Sequence, residues 1–261
     1  MTLAARVLGV GLVGPGLAGW REAREVLAGR AAYSPAATVI PPPDSLPATE
    51  RRRAGKCVRL ALAAGLAAAA DAAIPARELA AVFASSTGDG ENQHAICEVL
   101  ASDDRAISPT RFHNSVHNAP AGYWGIATGA MMPTDSVAAF DATFGAGLVE
   151  ALGRIAAEPA RAVLLVAYDA PYPEPLQSAR PVLDAFAVGL VLAAAGAGPA
   201  ITVEIARRVA SPMPDEALER VRRAIPSARS LPLLRLIAQG AQGRADLEYV
   251  DGLALTVTTQ A

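Results

Sequence analysis

The stretch AAFDATFGAGLVEAL, residues 138–152, predicts a strand, a sharp turn and the start of a helix. Apolar residues lead up to Asp141, and the small residues 145–147 would let the helix pack closely on a sheet. In many enzymes this junction presents a Ser or Cys nucleophile beside a helix N-terminus, which favours the anion. Here the turn carries Phe144, whose side chain cannot form a covalent intermediate. The stretch therefore predicts the elbow of an active site without its nucleophile.

The composition predicts one folded domain over residues 1–261. The chain has 261 residues, of which 52% are hydrophobic and 18% are charged. Such a chain can bury one sizeable core and is not intrinsically disordered. The net charge is −2, and the densest basic run, Arg51–Arg53, is too short for the basic footprint of a nucleic-acid binder. We therefore expect no nucleic-acid partner.

One uncharged stretch, residues 185–203, is about long enough to cross a bilayer. Gly196, Gly198 and Pro199 interrupt it, which favours two buried strands joined as a hairpin over residues 185–207. The first residues lack the positively charged and long apolar regions of a signal peptide. We therefore expect a soluble, cytoplasmic protein without a membrane span.

Two cysteines, Cys57 and Cys97, are too few for a disulfide framework, which agrees with a reducing compartment. Cys57 is expected well inside a long helix among apolar residues, and Cys97 in a short helix. A reactive thiol favours a helix N-terminus or a cationic neighbour. We therefore expect both cysteines to be small structural residues.

Apolar strands alternate with helices along the chain, which favours an α/β fold whose mixed sheet is covered by helices on both faces. The expected strands are residues 5–13, 79–87, 135–142, 161–170 and 252–259, together with the hairpin. The expected helices are residues 48–73, 90–102, 119–129, 143–157, 214–225 and 231–240, with a loop at 108–118.

Residues 9–14, GVGLVG, match the dinucleotide-binding pattern G-x-G-x-x-G. A working site needs a helix that opens at the third glycine, whereas Pro15 and Gly16 follow it here. No acidic residue ends a second strand at the required distance either. We therefore expect a strand-to-loop turn and no nucleotide cofactor.

His113 and His117 have the spacing of two metal ligands on one face of a helix. They lie between Pro109 and Pro120 in a polar stretch, which makes helical geometry doubtful. Histidines that form hydrogen bonds in a loop explain this pattern better. We therefore expect no metal site.

The order of these segments resembles the β-ketoacyl synthases, the condensing enzymes of the thiolase fold. Residues 136–154, SVAAFDATFGAGLVEALGR, resemble the nucleophile region of that family. Asp141 matches the family's Asp, and Phe144 falls on the catalytic Cys. Four further blocks agree in order and spacing, so that the resemblance covers about residues 5–200. These blocks are residues 51–72, 80–90, 107–133 and 161–171.

The resemblance implies a thiolase-like fold that contains the N-terminal half of a ketosynthase and a shortened C-terminal part, in one truncated domain. The family's catalytic histidines lie in the second half, and no histidine follows His117. The glycine-rich loop of the family's oxyanion hole belongs to the missing half as well. The resemblance thus implies no catalytic residue, with Phe144 at the nucleophile position.

Catalytically silent members of this family, the chain-length factors, pair with an active synthase. Short members resemble partners in aryl polyene and related pigment pathways, and relatives act in polyketide or fatty-acid-type chain elongation. The resemblance therefore implies a heterodimer with an active β-ketoacyl synthase subunit, and an acyl carrier protein that is reached through the complex. The silent chain would complete the dimer and shape the acyl tunnel.

The resemblance also assigns residues to these roles. The implied partner interface is Phe112, Asn118, Tyr123, Trp124, Phe140 and Phe144. The implied acyl tunnel lies along the helix after STGDG and comprises Gln93, Ile96, Cys97 and Leu100. Two alternatives stay open at this point: a stand-alone acyltransferase that uses Cys57 or Cys97, and a homo-oligomeric acyl-binding protein.

Overall fold

The computed structural model describes residues 2–250 and 252–260, which form an eight-stranded mixed sheet with helices on both faces. The predicted fold class is thereby confirmed. The strands are β1 (Thr2–Val13), β2 (Ala80–Ala84), β3 (Thr134–Val137), β4 (Val163–Asp169), β5 (Phe186–Ala193), β6 (Ala200–Ala206), β7 (Gly243–Glu248) and β8 (Ala254–Gln260). The helices are α1 (Trp20–Leu27), α2 (Ala48–Arg53), α3 (Lys56–Asp71), α4 (Gly90–Ala101), α5 (Pro109–His113), α6 (Ala119–Thr128), α7 (Thr143–Ala157), α8 (Leu176–Ala179), α9 (Glu216–Ala224) and α10 (Leu231–Gln239).

The strand order in the sheet is β3-β2-β4-β5-β1-β6-β8-β7. Strand β2 pairs in parallel with both β3 and β4, whereas the other pairings are antiparallel. The carboxyl ends of β2, β3 and β4 therefore meet at one edge, where the loops that follow parallel strands come together. Within the described part of the chain, β3 pairs with β2 alone and so presents one free strand edge.

The predicted hairpin over residues 185–207 is wrong, because β1 lies between β5 and β6. Arg6 of β1 is paired with Ala193 of β5 on one side and with Ala200 of β6 on the other. Since both strands are antiparallel to β1, they run in the same direction, and the connection between them crosses over β1. Gly198 permits this crossing, because a Cβ there would lie 2.0 Å from a carbonyl oxygen of β1.

The glycines of the GVGLVG motif bring a strand and a helix together. Gly9 and Gly11 lie inside β1, and the strand-to-loop turn begins only after Val13. A Cβ on Gly11 would lie 2.1 Å from the carbonyl oxygen of Ala64 in α3. Gly189 of the neighbouring β5 would meet the same oxygen at 2.5 Å. These positions therefore lack a side chain so that α3 can lie directly on the sheet.

The predicted helix over residues 48–73 is divided in two. Helix α2 ends at Arg53 and α3 begins at Lys56, with Gly55 in extended backbone between them at φ −66° and ψ 174°. The residues on both sides of the break favour a helix, so the amino-acid composition does not predict where the helix is interrupted. The division moves Cys57 to the second position of α3, which matters for its chemistry.

Smaller differences concern three short segments of the chain. The expected loop at 108–118 contains the short helix α5, and the expected strand at 135–142 ends at Val137. Strand β7 was not predicted, because only two of its residues, Ala245 and Leu247, follow an apolar alternation. The expected ends of α7 and of α6, which stops at a left-handed glycine, are confirmed.

Two hydrophobic cores cover the two faces of the sheet. On one face, α3 and α6 pack on the sheet, and this core includes Trp124. On the other face, α1, α7, α9 and α10 pack on the sheet, and this core includes Phe144 and Phe186. No helix in the described ranges is long and apolar enough to cross a membrane.

Candidate functional site

The turn between β3 and α7 lies at the edge where the parallel strands end. Residues Phe140–Ala142 form a single 3₁₀ turn, and α7 begins at Thr143. The Thr143 hydroxyl donates to the carbonyl oxygen of Phe140 at 2.6 Å and accepts from the backbone N–H of Ala139 at 2.9 Å. Phe140 has φ 53°, a left-handed conformation that is unusual for a bulky residue. The turn is thus tightly specified and includes one strained residue.

Phe144 is the second residue of α7 and is only 1% exposed. Its ring packs in the same core as Leu148 and Leu152, one and two turns further along the helix. The position that the resemblance assigns to the nucleophile therefore lies inside the core. An apolar ring without a thiol or hydroxyl cannot carry an acyl group.

Asp141 connects two arginines from distant segments. Arg180 Nη2 lies 3.0 Å from Asp141 Oδ1, and Arg229 Nη2 lies 3.1 Å from Asp141 Oδ2. Arg180 also donates to the hydroxyl of Ser86 at 2.8 Å, and its guanidinium carbon lies 3.5 Å from the centroid of the Phe140 ring. Both arginine side chains are about four-fifths buried, so these contacts are less screened than surface ion pairs. The resemblance pointed to Asp141 and to the block that contains Ser86, but no sequence pattern marked Arg180 or Arg229.

Asp169, at the carboxyl end of β4, is fully buried below this network. Its carboxylate accepts backbone N–H bonds from Ser86, Thr87 and Ser227 at 2.8, 2.9 and 2.7 Å. Burial raises the pKa of Asp169, and the hydrogen bonds oppose this effect only in part. The residue therefore ties the loop after β2 to the turn that holds Arg229.

A cavity of about 620 Å³ opens beside the elbow turn. Phe140 and Asp141 line one side, and Arg229, Glu248 and Tyr249 line the other. Glu248 is in turn bound by Arg222 of α9. None of the described lining residues is a Ser, Thr, Cys or His. The cavity therefore lacks both the nucleophiles and the histidine base that acyl transfer commonly uses.

The expectation that Cys57 lies well inside its helix is wrong, yet the residue is buried, as expected of a structural cysteine. It is 3% exposed, and its thiol donates to the carbonyl oxygen of Gly88 at 3.1 Å. Burial raises the pKa of the Cys57 thiol well above its usual range, and the carboxylates of Asp89 and Asp169 raise it further. A helix N-terminus favours a thiolate, but here desolvation outweighs it. Cys97 is exposed on α4.

The two histidines with metal-ligand spacing do not share a helix. His113 is the last residue of α5, and His117 lies beyond that helix with Nε2 at 3.1 Å from the carbonyl oxygen of Ser85. Across the described ranges, no group of three or more His, Cys, Asp or Glu side chains could hold a metal ion.

The residues implied for the partner interface divide into a surface group and a core group. Phe112 and Phe140 are 69% and 66% exposed, and Asn118 is exposed as well. The other three are corrected, because they are buried inside this chain and are therefore not available to a partner in this fold. These are Tyr123 (1% exposed), Trp124 (0%) and Phe144 (1%).

The residues implied for the acyl tunnel follow one helical spacing along α4 but differ in exposure. Gln93, Cys97 and Leu100 follow helical spacing and are exposed together. Ile96 is buried and lies beside Asn92 on the face that packs against the chain. The implied set therefore comprises an exposed stripe of three residues and one residue packed inside the chain, and its role in a tunnel stays a prediction.

Hydrogen bonds connect this stripe to the elbow. Gln93 donates from Nε2 to the carbonyl oxygen of Ser115 at 3.0 Å, in the segment that carries the exposed Phe112 and Val116. In that segment, His117 lies within hydrogen-bond distance of the carbonyl oxygen of Ser85, just after the end of β2. The next residue, Ser86, accepts a hydrogen bond from Arg180, and the guanidinium of Arg180 stacks on the ring of Phe140. We use the name elbow face for the exposed side chains along this series of contacts, which are Gln93, Cys97, Leu100, Phe112, Val116 and Phe140.

A family model described as "Beta-ketoacyl synthase, N-terminal domain" matches residues 20–246. A search of curated protein sequences finds no match to the chain.

Solved structures match nearly the whole chain. One is described as a ketosynthase (ApeO) in complex with its chain length factor (ApeC) from Xenorhabdus doucetiae, with a TM-score of 0.74, 24% identity and coverage of 98% of this chain and 99% of the matched chain. The ishigamide ketosynthase/chain length factor gives a TM-score of 0.71, 15% identity and coverage of 98% and 99%.

A third match, AntDE:AntF, is described as a type II PKS acyl-carrier protein in complex with its ketosynthase. It gives a TM-score of 0.74 and 11% identity over 100% of both chains. At these identities the likeness shows a shared fold, and it confirms that the fold is thiolase-like.

Proposed function

The chain belongs to the family of β-ketoacyl synthase N-terminal domains, and from this premise we propose that it is a catalytically silent subunit of the chain-length-factor type. In this proposal it pairs with an active β-ketoacyl synthase, completes the dimer and shapes the tunnel that receives the growing acyl chain. It needs no cofactor of its own, and it acts in the cytoplasm.

The observation that carries the proposal is the environment of Phe144. A condensing enzyme must present a nucleophile that an acyl thioester can reach. Here the corresponding position is an apolar ring with 1% exposure, packed in the core at the start of α7. The cavity beside it offers no Ser, Thr, Cys or His among its described lining residues. This environment supports the proposal that the bond-forming chemistry resides in another chain.

The surface of the chain supports association with such a partner. The elbow face exposes two phenylalanines at 69% and 66%, together with Val116 and Leu100 at 53% and 47%. Strand β3 adds a free edge, which another strand can extend. Soluble proteins commonly cover apolar patches of this kind with a partner. Chains of matching length and fold occur in structures described as ketosynthase and chain length factor complexes.

The acyl tunnel in this proposal runs along the exposed stripe of α4. Gln93, Cys97 and Leu100 would form one wall, and the synthase subunit would close the other wall when the two chains associate. Ile96 would support the stripe from inside the chain, where it is 8% exposed. Because a wall of this length limits the space for the acyl chain, residues on α4 would influence product length.

An acyl carrier protein would deliver intermediates to the synthase active site within the complex. A carrier protein is present in one of the matched ketosynthase structures, which supports this part of the proposal. Aryl polyene synthesis is the pathway that the short length favours, and polyketide or fatty-acid-type elongation are the wider class.

The experiment is co-expression of the 26.7 kDa chain with the β-ketoacyl synthase encoded nearest to its gene, followed by purification through a tag on the synthase. We expect a complex with one copy of each chain, and condensation that is lost when the synthase nucleophile is replaced. Replacement of both cysteines of this chain, Cys57→Ala with Cys97→Ser, should not abolish condensation by the complex, because neither thiol carries the acyl group in this proposal.

Two other results would overturn the proposal. A chain that is well behaved alone, ignores the synthase and is acylated at Cys97 by an acyl-thioester analogue would be an acyltransferase. A chain that forms a homo-oligomer and binds acyl groups without a synthase would be an acyl-binding protein. Size measurement of the purified chain distinguishes these two results.

A further inference from the structure

Phe140 adopts a strained backbone conformation although its side chain is mostly exposed. Its φ of 53° lies in the left-handed region, which costs free energy for a bulky side chain. Strain of this kind is commonly offset when the side chain is buried. The ring of Phe140 is instead 66% exposed. Within this chain, the strained backbone therefore holds an aromatic ring that stays mostly in solvent.

The other described non-glycine residue with a positive φ shows the contrast. Ala73, with φ 53°, follows the end of α3, where a left-handed residue closes the helix. The N–H of Ile74 then reaches the carbonyl oxygen of Ala69 at 3.1 Å. That conformation has an ordinary structural reason. Phe140 precedes a helix instead: the N–H of Ala142 reaches the carbonyl oxygen of Ala139 at 2.9 Å across its turn, and this closure leaves the Phe140 ring 66% exposed.

Three sets of contacts hold the Phe140 ring in place. The Thr143 hydroxyl bonds to the backbone on both sides of Phe140, at 2.9 and 2.6 Å. Asp141 is bound by Arg180 and Arg229, which fixes the next residue of the turn. The guanidinium of Arg180 covers one face of the ring at 3.5 Å, a cation–π contact. These contacts orient the ring within the free chain.

We propose that Phe140, stacked on Arg180, is the preorganised anchor through which this chain binds its synthase partner. This inference rests on the proposed function, and it assigns the dominant contact of the interface to one residue. Aromatic residues that are fixed in advance lose little conformational freedom on binding, and they commonly dominate interfaces. Thr143, Asp141 and Arg180 act as positioning residues, because they orient the ring.

The same geometry defines the partner surface that fits. One face of the ring is covered by Arg180, so the partner must receive the other face and the ring edge in an apolar recess. Arg180 remains about one-fifth exposed beside the ring. A hydrogen-bond acceptor on the rim of the recess, a carbonyl oxygen or a carboxylate, would therefore complement it. The synthase subunit should carry this combination opposite the elbow face.

The test is a competition in one cell for a limiting amount of tagged synthase. Wild-type chain is co-expressed with one variant, and intact mass gives the ratio of the two in the purified complex relative to the total lysate. The variants are Phe140→Gly, which removes both the ring and the strain, and Phe140→Asn, which removes the ring but tolerates the left-handed backbone. Val39→Ala is the control, because Val39 is 78% exposed outside the elbow face.

We expect both Phe140 variants to be at least tenfold depleted from the complex, about 1.4 kcal/mol of binding free energy, and the control to compete equally. We also expect the melting temperature of the isolated Phe140→Gly chain to equal or exceed that of wild type, since the strain is relieved. Weaker binding without weaker folding is the signature of an anchor, whereas a merely structural residue would lower both.

Two results separate failure of this inference from failure of the proposed function. If wild-type chain does not copurify with the synthase, the proposed function itself fails. If wild type copurifies and either soluble Phe140 variant competes equally with it, the chain is a partner subunit but Phe140 is not its anchor.

Discussion

Replacing Phe144 by Cys puts back the side chain that the elbow of a condensing enzyme would carry. The ring is 1% exposed, so the change removes a fully packed aromatic group from the core around α7. Phe→Ala changes at such sites cost about 3–5 kcal/mol, and a Cys fills slightly more space, so we expect a loss of about 3 kcal/mol in the free energy of unfolding. For a chain of this size the melting temperature should fall by roughly 6–12 °C.

The new thiol should remain chemically silent. Its position near the start of α7 favours a thiolate, but burial opposes ionisation, and no described residue of the adjacent cavity is a histidine. We therefore expect no condensation by a complex whose synthase nucleophile has been removed. We also expect that an acyl-thioester analogue does not acylate the introduced thiol at native pH.

The matched control is Phe112→Cys, the same chemical change at a phenylalanine that is 69% exposed. Its free energy of unfolding should change by about 0.5 kcal/mol or less, and its thiol should react freely with a maleimide. Both variants are made in a Cys97→Ser background, with stability measured by denaturant unfolding and modification by mass spectrometry. Equal stabilities for the two variants, or rapid acylation of the thiol at position 144, would refute the placement of Phe144 in the core.

The remaining predictions concern packing, pH and surface accessibility. Gly11→Ala should destabilise the chain by about 1–3 kcal/mol in denaturant unfolding, because its Cβ would lie 2.1 Å from an α3 carbonyl oxygen, whereas Gly153→Ala, with open space around it inside α7, should stabilise it by about 0.5–1 kcal/mol. Because burial raises the pKa of Asp169 above its ordinary value of 3.8, the folded state holds this proton more tightly than the unfolded state. The unfolding free energy of wild type relative to Asp169→Asn should therefore fall as pH rises from about 4, and level off once the folded carboxyl has ionised; a rise over that range would contradict the raised pKa. Cys97 should react with maleimide in the free chain and be protected in the synthase complex, while Cys57 should react only after unfolding. Equal labelling of Cys97 in the free chain and in the complex would show that α4 is not part of the interface.

The sequence allowed prediction of elements whose signal is local. Buried strand β4 and helix α7 carry long apolar patterns, and their bounds agree with the expectation to within a few residues. The hairpin over residues 185–207 failed because apolar runs and a glycine-rich connection indicate two strands, but not that β1 lies between them. Gly55 was overlooked because a single glycine between helix-forming residues is ambiguous.

Only those residues of the candidate site that lie in one continuous segment were predictable from the sequence. Asp141 and Phe144 belong to the same local block, so the resemblance located both. Arg180 lies 39 residues from Asp141 along the chain, and the two meet only because the sheet places β4 beside β2. Exposure is a further property that residue type does not determine. Tyr123 and Trp124 were expected at an interface because they are large aromatic residues. Large aromatic side chains also fill hydrophobic cores, and both residues lie in the core of this chain.

The two phenylalanines of the elbow have opposite environments, and the loss of the nucleophile connects them. A catalytic thiol at position 144 would have to stay within reach of substrate, and so it could not fill the core beneath α7. A silent subunit has no such constraint, and burial of the Phe144 ring contributes about 2–3 kcal/mol to folding. The left-handed backbone at Phe140 costs about 1–3 kcal/mol, which is the same scale. Burial of the Phe144 ring therefore offsets the backbone strain at Phe140, and in a silent subunit of the proposed kind the elbow serves binding instead of catalysis.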